Sequence, residues 1–148
     1  MKNIYCTLYT KELGRIELIY ESLENFDINI TVHRTDGPAE IYYYEDGSIE
    51  REYYYINDKL HRLDGPAFTG YNENGNIYAQ VYYINNKCHK INGPAVNYYY
   101  SNGSLEYESY YINGKPYTKE DYYNLINEMK SLPESLRLAH EEHWVREL

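Results

Sequence analysis

The heptad His33-Arg34-Thr35-Asp36-Gly37-Pro38-Ala39 returns as His61-Arg62-Leu63-Asp64-Gly65-Pro66-Ala67 and again as His89-Lys90-Ile91-Asn92-Gly93-Pro94-Ala95, 28 residues apart each time. Everything between the heptads aligns without insertion, so 33–60, 61–88 and 89–116 are three copies of one unit. A unit this small cannot enclose a core. It must bury its faces against its neighbours, which makes the chain a stacked array.

Within a unit, Ala39-Glu40-Ile41-Tyr42-Tyr43-Tyr44 is rich in aromatic and β-branched residues, Glu45-Asp46-Gly47 signals a hairpin, and Ser48 to Ile56 is a second strand-like run. The equivalent turns are Glu73-Asn74-Gly75 and Ser101-Asn102-Gly103. A three-residue loop with a bulge is preferred over a two-residue turn, because it sets Ala39, Tyr43, Ile49 and Tyr55 on one face. Further turns fall at Asn57-Asp58-Lys59 and Asp36-Gly37-Pro38 and their copies. Each unit thus supplies one hairpin and the link to the next. The whole predicts a single-layer antiparallel meander of roughly seven or eight strands, with equivalent residues of adjacent units roughly 10 Å apart.

Laid backwards, the 28-residue ruler sets 26–33 on 54–61, so 1–32 reads as a degenerate capping repeat, with Ile16–Tyr20 as a strand. At the other end, 117–148 reads as a helical cap. Thr118-Lys119-Glu120-Asp121 replaces the fourth heptad with a capping box. A helix to about Leu132 follows, burying Tyr122, Leu125, Ile126 and Met129, and then a second helix over about 134–147, carrying Leu136, Ala139 and His143. The fold class is mainly β with C-terminal α.

Tyrosine is the outlier in composition, with 22 copies against two Phe and one Trp in 148 residues. A large apolar ring with a polar tip suits the half-wet faces of a thin sheet. A formal net charge of −9 argues against holding long nucleic acid or an anionic membrane by bulk electrostatics. Cys6 and Cys88 make no disulfide framework. With no apolar run long enough to span a membrane and no secretory leader at the N-terminus, the expected location is the cytoplasm.

The pattern H-R-x-D-G-P-A, then Y-x-x-D-G, then Y-Y-I-N-x-K resembles variant MORN-type repeats, including antitoxin-like bacterial proteins and arrays of large DNA viruses and phages. The resemblance covers 33–116 and departs from the ordinary MORN unit, which is shorter and built around G-x-Y-x-G. It implies a thin β-hairpin array that binds proteins or ligands without catalysis, in a host cytoplasm if the chain is viral.

His33, His61 and His89 invite a metal reading, but a shared zinc needs ligand atoms within about 2.1 Å of the ion. Side chains roughly 10 Å apart cannot provide that, so the histidines read as structural turn residues. Arg34, Lys59, Arg62, Lys87 and Lys90 form a basic ladder, with Asp36 and Asp64 as local partners for the two arginines; Lys90 has Asn92 instead, leaving it the better candidate for an anionic ligand. Tyr54, Tyr82 and Tyr110, like Tyr43/Tyr71/Tyr99 and Tyr55/Tyr83/Tyr111, recur in register and read first as support of the sheet, then as an exposed aromatic strip for a protein partner, and last as a platform for base stacking. His140-Glu141-Glu142-His143 lacks the spacing of the zinc-protease motif. Glu50/Glu52 and Glu106/Glu108 repeat with the array, whereas a catalytic pair needs one copy in a cleft. The expectation is a non-enzymatic binding module with no metal or cofactor, whose partner is another protein or a second copy of itself. The alternative is a viral sponge that sequesters a small anionic nucleotide signal of host defence, suggested by basic residues beside tyrosines and by the viral resemblance.

Overall fold

The computed structural model describes residues 4–11, 14–19 and 31–145. An N-terminal hairpin pairs β1 (Ile4–Thr10) with β2 (Gly14–Ile19). The units then contribute β3 (Glu40–Tyr43) with β4 (Ile49–Tyr53), β7 (Phe68–Tyr71) with β8 (Ile77–Val81), and β11 (Val96–Tyr99) with β12 (Leu105–Ile112). Short ribbons β5 (Tyr55–Ile56) with β6 (Lys59–Leu60), and β9 (Tyr83–Ile84) with β10 (Lys87–Cys88), link the units; β13 (Lys115–Tyr117) pairs with the end of β12. The main sheet has nine strands in the order β13-β12-β11-β8-β7-β4-β3-β1-β2, antiparallel throughout. The predicted antiparallel meander is present.

The odd loop is present too. Tyr44 N–H donates to Ser48 O at 2.8 Å and Gly47 N–H to Tyr44 O at 2.9 Å, with Gly47 at φ +86°. The left-handed conformation falls to glycine, which alone adopts it without Cβ crowding. The register slips here, from Tyr42 opposite Arg51 to Tyr43 opposite Ile49, and slips identically in the other two units. Ala39, Tyr43 and Ile49 therefore share a face. Tyr55 does not join them, because the bulge at Glu50 sets Arg51 and Tyr53 on the opposite face and the Tyr55 ring lies 6.1 Å from that of Tyr53; nor does the strand run straight from Ser48 to Ile56. At Tyr54 it leaves its hairpin: Tyr54 N–H donates to Ala67 O of the next unit at 2.8 Å, and β5 turns aside to pair with β6.

These ribbons turn at Asn57 and Asp58, both at positive φ (+51° and +60°), and Asn85 and Asn86 repeat the geometry. Each turn also ties one unit to the one before. Asp58 N–H donates to Val32 O at 3.0 Å while its carboxylate accepts from Val32 N–H at 2.6 Å; Asn86 does the same for Leu60.

The alignment of 26–30 with 54–58 falls outside the described residues. At that place in the stack stands β1. Tyr9 N–H donates to Ala39 O at 2.7 Å, as Tyr54 does to Ala67, and His33 N–H donates to Tyr9 O at 2.9 Å, as His61 does to Tyr54 at 3.0 Å. Thr10 bridges Val32 as Tyr55 pairs with Leu60. The strand that plays the second half of a preceding unit is thus the first strand of the chain. Ile16–Ile19 is strand as expected, in β2, on the outer edge.

Strand alternation gives the sheet two faces. Across the first run Thr7, Ile41, Glu52, Thr69, Gln80, Asn97 and Glu108; across the second Cys6, Tyr42, Arg51, Gly70, Ala79, Tyr98 and Tyr107. On the first face the Tyr43/Tyr71/Tyr99 column stitches units together, Tyr71 donating to Glu52 at 2.9 Å and Tyr99 to Gln80 at 3.2 Å. Burial pushes the Tyr71 hydroxyl up to about 12, with help from the Glu52 charge.

Helix α1 (Lys119–Ser131) is capped by Thr118, which accepts from Asp121 N–H at 3.1 Å. It packs on β12 and β13, closing the C-terminal end of the sheet. Tyr122 and Ile126 join Tyr110 and Ile112 in one buried cluster, flanked by Leu125 and Met129, the predicted helical stripe. Helix α2 (Glu134–Val145) departs from expectation: Leu136 and Ala139 are exposed. The side chains of His140, His143 and Trp144 lie outside the description.

Cys6 is buried and free, and burial pushes its thiol pKa up to about 12; the free Cys88 thiol is raised to about 11 for the same reason. Since the thiolate is the reacting form, we expect a disulfide reagent at pH 8 to label both thiols slowly in the native protein and rapidly in urea. Labelling of Cys6 at equal rates in both states would contradict this burial.

Candidate binding surfaces

The heptads build the first surface. In the first two, arginine closes its own loop: Arg34 donates to Asp36 (2.7 Å) and Pro38 O (3.2 Å), and Arg62 to Asp64 (2.8 Å) and Pro66 O (3.4 Å). Glycine leaves room for each guanidinium: a Cβ on Gly37 or Gly65 would lie 2.8 Å from the arginine Cζ and push the side chain out of its loop. Each cation also covers the tyrosine of the preceding unit. Arg34 lies 3.9 Å from the Tyr9 ring centre, Arg62 4.0 Å from Tyr54, and Lys90 3.7 Å from Tyr82.

In the third unit the pattern changes hands. No fourth heptad follows to cover Tyr110, and the Tyr122 ring from α1 takes the place at 4.8 Å. The Tyr122 hydroxyl donates to Lys90 O at 2.9 Å and accepts from Gly93 N–H at 3.1 Å. The joint change to Lys90 and Asn92 therefore sits in the one heptad whose loop is held from outside by the helix. Gly93 there adopts φ +120°, open to glycine alone.

The histidines anchor the ribbon turns of their own units. Asn57 N–H donates to His33 Nδ1 at 3.2 Å, Asn113 N–H to His89 Nδ1 at 3.0 Å, and His61 Nδ1 lies 2.9 Å from Asn85 Oδ1. Burial lowers the His89 pKa below its usual value. The unfolded chain then binds a proton that the native state refuses, so this contribution is intact above pH 6.5 and declines as pH falls through the unfolded value. Denaturation midpoints between pH 8 and 5 should show the decline, and His89→Gln should flatten it.

Between successive heptads lie two open grooves. One of about 590 Å³ is lined by Arg34, Asp36, Tyr54, Ile56 and Leu63, and one of about 420 Å³ by Leu63, Tyr82, Ile84, Lys90 and Ile91. Of the sequence-predicted contact residues, Arg34, Arg62, Lys90, Tyr54 and Tyr82 are therefore brought together here. Lys59 and Lys87 stand apart on the ribbons, and Tyr110 is 3% exposed beneath α1.

The second surface was not singled out by the sequence reading. On the second sheet face Tyr98 and Tyr107 pair across β11 and β12, with ring centres 6.1 Å apart and exposures of 40% and 53%. Tyr78 is exposed on β8, its ring over Gly70, where a Cβ would meet it at 2.5 Å, and Tyr100 is exposed just beyond β11. None belongs to the ladders shared by all three units. Position 98 corresponds to Tyr42 and Gly70, 107 to Arg51 and Ala79, and 78 to Glu50 and Glu106. The departure from the period was the available signal, since a position that differs between units is not dictated by stacking. Among the described residues no helix is long and apolar enough to cross a membrane. Comparison with known protein families, with curated proteins and with solved structures returns no match.

Proposed function

We propose that the chain is a non-enzymatic repeat scaffold that binds a protein partner, in keeping with the resemblance to MORN-type arrays. The observation that carries this is the exposed ring pair of Tyr98 and Tyr107 on one sheet face, with Tyr78 exposed on the neighbouring strand. Exposed aromatic clusters on a polar protein mark contact surfaces, and tyrosine is enriched at such contacts. The Tyr54/Tyr82/Tyr110 ladder behaves differently: its rings are covered by cations or by α1, and it supports the stack.

Affinity capture from cell extract tests the reading. The Tyr98→Ser, Tyr107→Ser double variant should lose the proteins that wild type retains, while Lys59→Ser on a ribbon should keep them. Retention of every partner by the tyrosine variant would end the proposal. Light scattering reports whether the partner is a second copy. The nucleotide-sponge alternative is weaker because Arg34 and Arg62 are already bonded to Asp36 and Asp64. It predicts a melting-temperature rise with some member of a nucleotide panel, lost in Lys90→Glu; we expect a flat panel.

A further inference from the structure

We infer that the partner surface of the second face receives the arginine or lysine side chains of a basic protein segment, an inference that rests on the protein-binding reading above. The fold itself uses this contact repeatedly. Tyr9, Tyr54 and Tyr82 each lie under a cation from the following heptad. On the second face the first unit does the same within its own hairpin, with the Arg51 guanidinium 4.2 Å from the Tyr42 ring centre. The register carries that row through Gly70 and Ala79 to Tyr98 and Tyr107. There the position of Arg51 is held by Tyr107, so the third unit offers two exposed rings and no cation of its own at that place in the row.

The charges around the strip have the sign to match. Glu106 and Glu73 are exposed, and Glu106 precedes Tyr107 at the bulge position that Glu50 holds in the first unit. Further along the sheet, at the hairpin tips of the first two units, burial and then Glu50, Tyr78, Glu73 and Asp46 raise the Tyr44 hydroxyl, so acidic groups also gather beside Tyr44. An aromatic face with a carboxylate beside it favours guanidinium and ammonium groups through ring quadrupole and Coulomb attraction together. The net charge of −9 steers a basic partner toward the protein as a whole.

A fluorescein-labelled peptide of four Arg-Gly-Ser repeats tests this on the full chain, with a peptide carrying Gln in place of every Arg as control. Fluorescence anisotropy should show saturable binding that weakens as salt rises from 50 to 300 mM, with the Gln peptide bound at least tenfold more weakly. Tyr98→Ser with Tyr107→Ser, which leaves net charge unchanged, should weaken binding at least tenfold. The Phe pair at the same positions should bind as wild type, since it keeps the ring faces. Amide chemical shifts on titration should move in β11 and β12. Equal binding by the Ser pair, loss in the Phe pair, or shift changes confined to the heptad loops would each overturn the inference. Natural partners that need Tyr98 and Tyr107 alongside failure of the Arg peptide would leave the scaffold reading standing and this one fallen. The Arg peptide bound through the strip, with no protein captured from extract, would do the opposite.

Discussion

Tyr122→Ala is expected to destabilise the C-terminal end of the array by about 3–5 kcal/mol, the range for deleting a large buried aromatic ring. Tyr122 is fully buried and does three things at once. Its ring covers Tyr110, its hydroxyl closes the third heptad loop between Lys90 O and Gly93 N–H, and it fixes α1 on β12 and β13. Tyr122→Phe separates these contributions. It keeps the packing but strands a carbonyl and an N–H, and should cost about 1–3 kcal/mol. Urea denaturation followed by circular dichroism measures both. Because a repeat array loses stability unit by unit, hydrogen exchange should show α1, β12 and β13 opening in the alanine variant before β3 and β4. A loss below about 1 kcal/mol in Tyr122→Ala would mean that the helix is held by something else.

The second large effect is expected from Ala67→Leu. Ala39, Ala67 and Ala95 have no exposed surface, and each sits where a heptad loop hands over to a strand. Ala67 O accepts from Tyr54 N–H, and Ala39 N–H donates to Tyr53 O, so backbone approaches closely at these corners. Leucine adds an isopropyl group to a methyl that already has no exposed surface, and overpacking of this kind costs about 1–3 kcal/mol. The sign is informative, because alanine is a poor strand residue and a larger apolar side chain at a roomy strand site would be neutral or stabilising. A Leu variant as stable as wild type in urea would show that the alanine column is not sterically required.

Much of the architecture was legible because the period imposes it. The heptads located the unit boundaries, Asp46-Gly47 and its copies located the bulged hairpins, and Thr118 with Asp121 located the helix start. The break at Tyr54 was not legible. A run of aromatic and β-branched residues has the same local preference whether it continues or turns aside, and the decision rests with Ala67 O of the next unit. The start of the chain was obscured for a related reason: a ruler in sequence assumes that neighbours in space follow one another in order, and β1 does not. Arg34, Arg62 and Lys90 were legible as a ladder, yet their loop and ring partners are contacts across units. Tyr98 and Tyr107 were not legible as a pair, because neither position is tyrosine in all three units and their meeting depends on the register of β11 with β12.

The two ends of this array are fitted differently from its interior. The first unit receives Tyr9, carried by a strand whose order in the chain is inverted, and the last is sealed by Tyr122 in a glycine conformation that the first two heptads do not adopt. Among the described residues, each end of the array is thus closed by a contact that the repeating units do not make among themselves. A duplicate of 61–88 inserted after residue 88, by contrast, meets on both sides the contacts it already makes. Such a chain lengthens by one hairpin and one ribbon while both ends keep their original fittings, so length in this architecture is a property of the interior.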